Sequence, residues 1–141
     1  MATTASVTLT GGMHFKATVG DRYSFDIDTL PEHGGTVPGA TPMELVLAGL
    51  AGCTAFDVIS ILRKARQEVT GFRVEVRGER AEHDPRVYTH IRVEYLLRGR
   101  RLSEDAVRRA IELSESKYCS VGAMLRSTAK IESSYRIEEE S

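Results

Sequence analysis

The chain has 141 residues, of which 19 are basic and 20 acidic, so its formal net charge is −1 and we expect a single domain over residues 1–141. The near-neutral charge argues against nucleic acid or an anionic lipid surface as a partner. The N-terminal segment MATTASVTLTGG lacks the basic region and apolar core of a secretory signal, and no run approaches about 20 apolar residues, so we expect a cytoplasmic protein that does not enter the membrane.

The first 28 residues alternate polar and apolar side chains, which is typical of β-strands. The alternating segments are SVTLT, MHFKATV and RYSFDID, with a Gly20-Asp21 turn before the third. They predict a short antiparallel meander. Residues 29–41 are rich in glycine and proline and predict a loop that leads into a helix.

A long apolar helix is predicted to begin at Thr41-Pro42, with Thr41 as the N-cap and Glu44 in the first turn. Apolar side chains surround this helix on nearly every face as far as Leu62. Such a helix must be covered on all sides, so we expect a sheet and a partner subunit to pack on it and the protein to be a homodimer. The charged segment RKARQE follows, and we expect Gly71 to end the helix.

The second half of the chain predicts a β-hairpin from residues 72–82 and 86–98, because both segments alternate. Ser103 is a good N-cap for a helix whose apolar stripe runs to Tyr118. Ser120 is expected to cap a further short helix, and KIESSYRIE predicts a last strand. The predicted order is strands, a helix, strands, helices and a last strand. This order indicates an α+β fold.

The chain has two cysteines, Cys53 in the apolar helix and Cys119 at the end of the later helix. In a reducing compartment such a pair is free, catalytic or redox-active more often than a permanent disulfide. A buried thiol forms a thiolate only if a donor, a cation or a helix N-terminus stabilises it; Thr54 and the helix after Ser120 are candidates. The alternative is that both cysteines are small buried apolar residues. Neither cysteine has the neighbours of a zinc site.

The segments TPMELVLAGLAGCTAFDVISIL and LSESKYCSVGAML resemble the OsmC/Ohr family of osmotically inducible and organic hydroperoxide resistance proteins, most closely its YhfA-like branch. The similarity runs from about Gly11 to about Ile137. It implies an intertwined homodimer of α+β fold, with central apolar helices wrapped by antiparallel sheets. It also implies thiol-dependent reduction of organic hydroperoxides, with Cys53 as the peroxidatic and Cys119 as the resolving cysteine, no bound cofactor or metal, and an external dithiol as reductant.

The chain departs from the hydroperoxide resistance branch at two positions. That branch has an arginine and a glutamate that form a salt bridge and activate the thiolate; Met13 and Met43 occupy the equivalent positions here. Glu44 is one position further on, and Asp57 lies one helical turn after Cys53, where its charge disfavours a thiolate. The resemblance with these substitutions implies slower attack by Cys53.

Two principal functions remain open from the sequence. One is an enzyme in oxidative stress defence, in which Cys53 attacks the O–O bond and Cys119 forms a disulfide with it. The other is a homodimer that binds a lipid-like or other small ligand in an apolar pocket lined by non-catalytic cysteines. A structural dimer without chemistry is a third, weaker possibility.

Overall fold

The structure is a computed structural model that describes residues 2–141. Its elements in chain order are β1 (Ala5–Gly11), β2 (His14–Val19), β3 (Tyr23–Ile27), a 3₁₀ turn (Pro31–His33), α1 (Pro42–Lys64), β4 (Glu68–Arg80), β5 (Tyr88–Arg100), α2 (Glu104–Leu113), a π-helix (Ser114–Tyr118), α3 (Ser120–Leu125) and β6 (Lys130–Glu139). These elements belong to two compact units, Met1–Val46 and Leu47–Ser141. The mixed composition of two sheets and three α-helices confirms the predicted α+β class.

The first unit contains the predicted meander. Strand β2 pairs antiparallel with both β1 and β3, which confirms the three N-terminal strands and their order. Buried Asp28 then organises the loop after β3, because its carboxylate accepts hydrogen bonds from the backbone amides of Thr29, Thr36 and Val37 at 2.7–3.1 Å. Hydrogen bonds from backbone amides to this one carboxylate therefore hold the glycine- and proline-rich loop in place.

Helix α1 begins where the sequence predicts, and its first turn is a reciprocal cap. The Glu44 amide donates to the Thr41 hydroxyl at 3.3 Å, and the Thr41 amide donates to the Glu44 carboxylate at 2.8 Å. The helix ends at Lys64, followed by Arg66 in the left-handed region with φ of 59°. The expectation that Gly71 ends the helix is wrong, because β4 has already started at Glu68 and Gly71 lies within it.

The predicted hairpin supplies β4 and the central strand β5 of the second sheet, whose strand order is β4-β5-β6. Its inward side chains on β5 include Ile91, Val93, Tyr95 and Leu97, all of them buried, as the alternation predicts. The pattern breaks at the start of β5, where Tyr88 is buried and Thr89 is exposed. A register shift between Glu79 and Arg80 in the paired strand accompanies this change of face.

Strand β6 pairs with β5 in the parallel direction. Helix α2, the π-helix and α3 connect the two strands, as a parallel pairing requires. Ser103 caps α2 by accepting from the Ala106 amide at 3.2 Å, which confirms its predicted role. This crossover brings the segment that carries Cys119 to the same unit as the middle of α1.

Within the single chain, α1 buries one stripe and leaves much of its apolar surface open. The buried residues are Leu50, Thr54, Val58 and Leu62, four apart along the helix, whereas the Phe56 side chain is 77% exposed. The most apolar 18-residue window has a mean hydropathy of 2.1 and is 22% buried. By length and composition this helix could cross a membrane, a criterion that core helices of soluble proteins also meet.

Candidate active site

The two cysteines meet in the second unit. Cys53 lies in the middle of α1 and is half-buried, whereas Cys119 lies between the π-helix and α3 and is 5% exposed. Their sulfur atoms and a carboxylate oxygen of Asp57 all lie within 4.8 Å of one another. This confirms the expectation that the two thiols lie close together. The structure also places the Asp57 carboxyl group beside them.

The π-helix sets the position of Cys119. Its wider turn places the Cys119 amide 2.8 Å from the Ser114 carbonyl oxygen, five residues earlier. The Cys119 sulfur in turn accepts a hydrogen bond from the Gly122 amide at 3.3 Å. Cys119 itself is therefore the N-cap of α3; the expectation that Ser120 caps this helix is wrong by one residue.

The wide turn also changes the apolar stripe predicted for α2. Val107, Ala110, Ile111 and Ser114 are buried as predicted, but Tyr118 is 50% exposed. A stripe continued at α-helical spacing places Tyr118 inward; the π-helix shifts the later residues around the axis and turns it outward. Cys119 is buried instead.

The surroundings of Cys119 favour its neutral thiol. Burial raises the pKa of Cys119 to about 11, and the neighbouring Cys53 and Asp57 add to this rise, against the lowering effect of the Gly122 amide. The thiol therefore keeps its proton at neutral pH. Cys53 is the more accessible of the two sulfurs, so a solute reaches it more readily.

Three buried hydroxyl groups connect Asp57 to a second carboxylate, and we refer to Ser114, Thr54 and Tyr95 as the hydroxyl chain. Ser114 Oγ donates to Asp57 Oδ2 at 2.9 Å and lies 2.7 Å from Thr54 Oγ1. Thr54 Oγ1 lies 2.8 Å from Tyr95 Oη, which donates to Glu115 Oε2 at 2.8 Å. Ser133 in β6 donates to the other oxygen of Glu115 at 3.1 Å.

Sequence reasoning missed the hydroxyl chain, although a signal was present. Each member occupies an inward position on an otherwise apolar stripe: Thr54 on α1, Tyr95 on β5 and Ser114 after α2. Polar groups at such positions need partners when buried. The sequence predicted that Thr54 could help Cys53; its hydroxyl instead contacts Tyr95 and Ser114.

Glu44 and Lys16, two charged residues of the first unit, form contacts within that unit. Glu44 belongs to the cap of α1, and Lys16 forms a salt bridge with Asp26 at 2.8 Å. Asp57 is neither turned away nor paired with a cation in the contacts of the described residues; it accepts from Ser114. The environment of the two sulfurs thus depends on one carboxylate and its hydrogen-bonding partners.

The close approach of two sulfurs and a carboxylate oxygen is a spacing that a metal ion could also bridge. Metal binding would require both thiols and the carboxyl group to lose their protons. The raised pKa of the Cys119 thiol opposes the loss of its proton.

Comparison with known proteins shows the family of this chain. The family model for OsmC-like protein matches residues 33–134, a region that contains both cysteines and the whole hydroxyl chain. The chain belongs to the OsmC-like protein family. The resemblance read from the two cysteine segments is confirmed.

This OsmC-like chain is 46% identical to Protein YhfA of Escherichia coli K12 over 97 residues, which cover 69% of the chain and 72% of YhfA. A crystal structure of a hypothetical protein from Aquifex aeolicus matches it with a TM-score of 0.88 at 28% identity, covering 100% of this chain and 99% of the other. An organic hydroperoxide resistance protein OsmC from Legionella pneumophila matches with a TM-score of 0.73 at 14% identity, covering 96% of each chain. The last similarity shows the OsmC/Ohr fold.

Proposed function

We propose that this protein is a two-cysteine peroxidase that reduces organic hydroperoxides in oxidative stress defence. Cys53 is the attacking sulfur, Cys119 resolves the oxidised form, and an external dithiol restores both thiols. The observation that carries the proposal is the approach of the two sulfurs within 4.8 Å, although they come from separate helices. A disulfide bond is about 2.0 Å long, so the two sulfurs must move closer together before one forms.

The different exposure of the two sulfurs supports these roles. Cys53 is half-buried, whereas Cys119 is buried and retains its proton. In the first step the Cys53 thiolate attacks the terminal peroxide oxygen; the O–O bond breaks, Cys53 becomes a sulfenic acid, and the alkoxide leaves as the alcohol after protonation. In the second, the Cys119 sulfur attacks the Cys53 sulfur, and its proton leaves with the hydroxyl group as water.

Proteins named for hydroperoxide resistance share the fold of this chain. Solved structures of the same fold include organic hydroperoxide resistance proteins from Legionella pneumophila and from Bacillus subtilis. Their identity to this chain is 14% and 16%, respectively, so they support the fold alone. The activity is carried here by the residues that this chain places at the two cysteine positions.

Counting free thiols tests the proposed function. Reduced protein treated with excess cumene hydroperoxide is expected to lose both of its two thiols per chain and to regain them with dithiothreitol. Intact mass should fall by the mass of two hydrogens, because one disulfide forms within the chain. Retention of both thiols would contradict the enzyme and favour the ligand-binding dimer.

We also propose that the protein is an obligate homodimer in the cytoplasm. The open apolar surface of α1 supports this, because a window with a mean hydropathy of 2.1 is only 22% buried in one chain. A partner subunit would remove that surface from water and stabilise the fold.

Sedimentation velocity over a dilution series checks the oligomeric state. We expect a dimer at every concentration at which the protein stays folded, and unfolding rather than folded monomer at the lowest concentrations. Phe56→Asp should shift this equilibrium toward unfolded chains, because it places a charge on the exposed apolar face of α1. A folded monomer at high dilution would contradict the prediction.

A further inference from the structure

We propose that the hydroxyl chain is a proton relay that supplies Asp57 with the proton taken up by the leaving alkoxide when Cys53 attacks a hydroperoxide. This inference rests on the proposed peroxidase function. Its physical basis is separate from that function, since it follows from the number of hydrogen atoms available to the chain.

When Asp57 and Glu115 are both ionised, the hydroxyl chain has one hydrogen atom too few to form all of its hydrogen bonds. Four contacts of 2.7–2.9 Å join Asp57, the three hydroxyl groups and Glu115 in series. Each contact needs one hydrogen, but three hydroxyl groups supply three. Ser114 and Tyr95 donate outward to the carboxylates, which leaves Thr54 with one hydrogen for two neighbours.

One added proton completes the series. If Asp57 is protonated, it donates to Ser114, which donates to Thr54 and so on to Glu115; protonation of Glu115 reverses every bond. Thr54, Ser114 and Tyr95 are at most 2% exposed, and an unmade hydrogen bond between buried groups is costly. The chain therefore favours a state that carries one proton, which can move from one carboxyl group to the other.

The negative charge of a Cys53 thiolate also favours a protonated Asp57. An ionised Asp57 close to Cys53 repels a thiolate, whereas a protonated Asp57 does not. At the other end, Glu115 is half-buried and can exchange protons with solvent. Burial raises the pKa of Tyr95 well above its usual range, so its phenol does not ionise to a phenolate. The neutral hydroxyl group can therefore accept one proton and donate another.

Asp57 supplies the proton when Cys53 is oxidised. The Cys53 thiolate donates an electron pair to the terminal peroxide oxygen, the S–O bond forms and the O–O bond breaks. Sulfur is oxidised by two electrons and the peroxide is reduced. The alkoxide takes the proton of Asp57 and leaves as the alcohol. A proton from solvent then enters at Glu115 and restores Asp57 through the hydroxyl chain.

Replacement of Asp57 by asparagine tests this role by the direction of its effect. If Asp57 is only a neighbouring negative charge, Asp57→Asn removes repulsion and speeds the oxidation of Cys53 by cumene hydroperoxide in a single turnover. If it is the proton donor, the same change slows that oxidation, by about 100-fold for the loss of a general acid. An unchanged or faster rate would overturn the proposal.

Two substitutions of Thr54 test the relay without changing any charge. Thr54→Val keeps the shape of the side chain but deletes the hydroxyl, and we expect the single-turnover oxidation to slow by about 10-fold. Thr54→Ser restores a hydroxyl and should recover most of that loss. Tyr95→Phe interrupts the chain at a second place and provides an independent measurement if Thr54→Val does not fold. Equal rates in Thr54→Val, Tyr95→Phe and the wild-type protein would also overturn the proposal.

Infrared spectroscopy of the reduced protein separates this inference from the peroxidase function. The wild-type protein near neutral pH should show the carbonyl band of one protonated carboxyl group, and the Asp57→Asn/Glu115→Gln double variant should lack it. Absence of the band from the wild-type protein would overturn the stored proton. A band in a protein whose thiols do not react with hydroperoxide would support the stored proton and overturn both the peroxidase function and the catalytic use of the relay.

Discussion

Replacement of Cys53 by serine is expected to abolish hydroperoxide consumption, whereas replacement of Cys119 by serine should leave one oxidation per chain. The first step needs a single thiolate, and Cys53 is the more accessible sulfur. Turnover needs a second sulfur to displace the hydroxyl group from the first. Cys119→Ser should therefore stop with Cys53 as a sulfenic acid, which a sulfenic-acid-selective reagent will label.

The contrast between the two variants is the decisive readout. Hydroperoxide consumption is measured in a single turnover and again in the presence of an external dithiol, with the Cys53→Ser/Cys119→Ser double variant as the control for background reaction. Equal loss of the first oxidation in both single variants would show that the roles are wrongly assigned. Normal hydroperoxide consumption by Cys53→Ser would show that Cys53 is not the nucleophile.

A large loss of stability is expected for Gly99→Ala in β5. A Cβ atom at this position would lie 2.2 Å from the Glu68 carbonyl oxygen of the paired strand and 2.8 Å from the Leu102 side chain. The backbone of β4 cannot yield as a flexible side chain can, so the hairpin must distort. We expect the free energy of unfolding to fall by about 3 kcal/mol, a large part of the roughly 5–15 kcal/mol typical of a domain.

Gly71→Ala in the neighbouring strand is the matched control. Its Cβ would meet no atom closer than the Arg98 Cβ at 3.5 Å, an ordinary contact. We expect a change within about 0.5 kcal/mol. Urea denaturation of both variants at one protein concentration makes the comparison, since dimer stability depends on concentration. Similar midpoints for the two would contradict the close approach of β4 to Gly99.

Much of the fold could be predicted from local patterns. The alternation in β5 follows from its one buried and one exposed face, and the start of α1 depends on Thr41, Pro42 and their neighbours. The parallel direction of β6 could not, because alternation is the same in either direction. The left-handed Arg66 that ends α1 also carries no strong local signal, since glycine usually occupies such a position.

The candidate site was predictable in its sulfurs and not in its polar partners. Cys53 and Cys119 stand out because the chain has only two cysteines and both lie in characteristic segments. The role of Asp57 depends on Ser114, which is 57 residues away in sequence and donates to it only after folding. The sequence therefore marks Asp57 as an obstacle to a thiolate, whereas the structure gives it a hydrogen-bonded route to Glu115.

The five-residue turn from Ser114 to Tyr118 makes the site sensitive to chain length as well as to residue identity. Removing one residue from this turn would return it to α-helical spacing and rotate the following residues by about 100° about the helix axis. Both cysteines would still be present, but Cys119 would lose the bond from its amide to the Ser114 carbonyl that now places it. A single-codon deletion could therefore separate the thiols while every side chain of the site is retained in the gene.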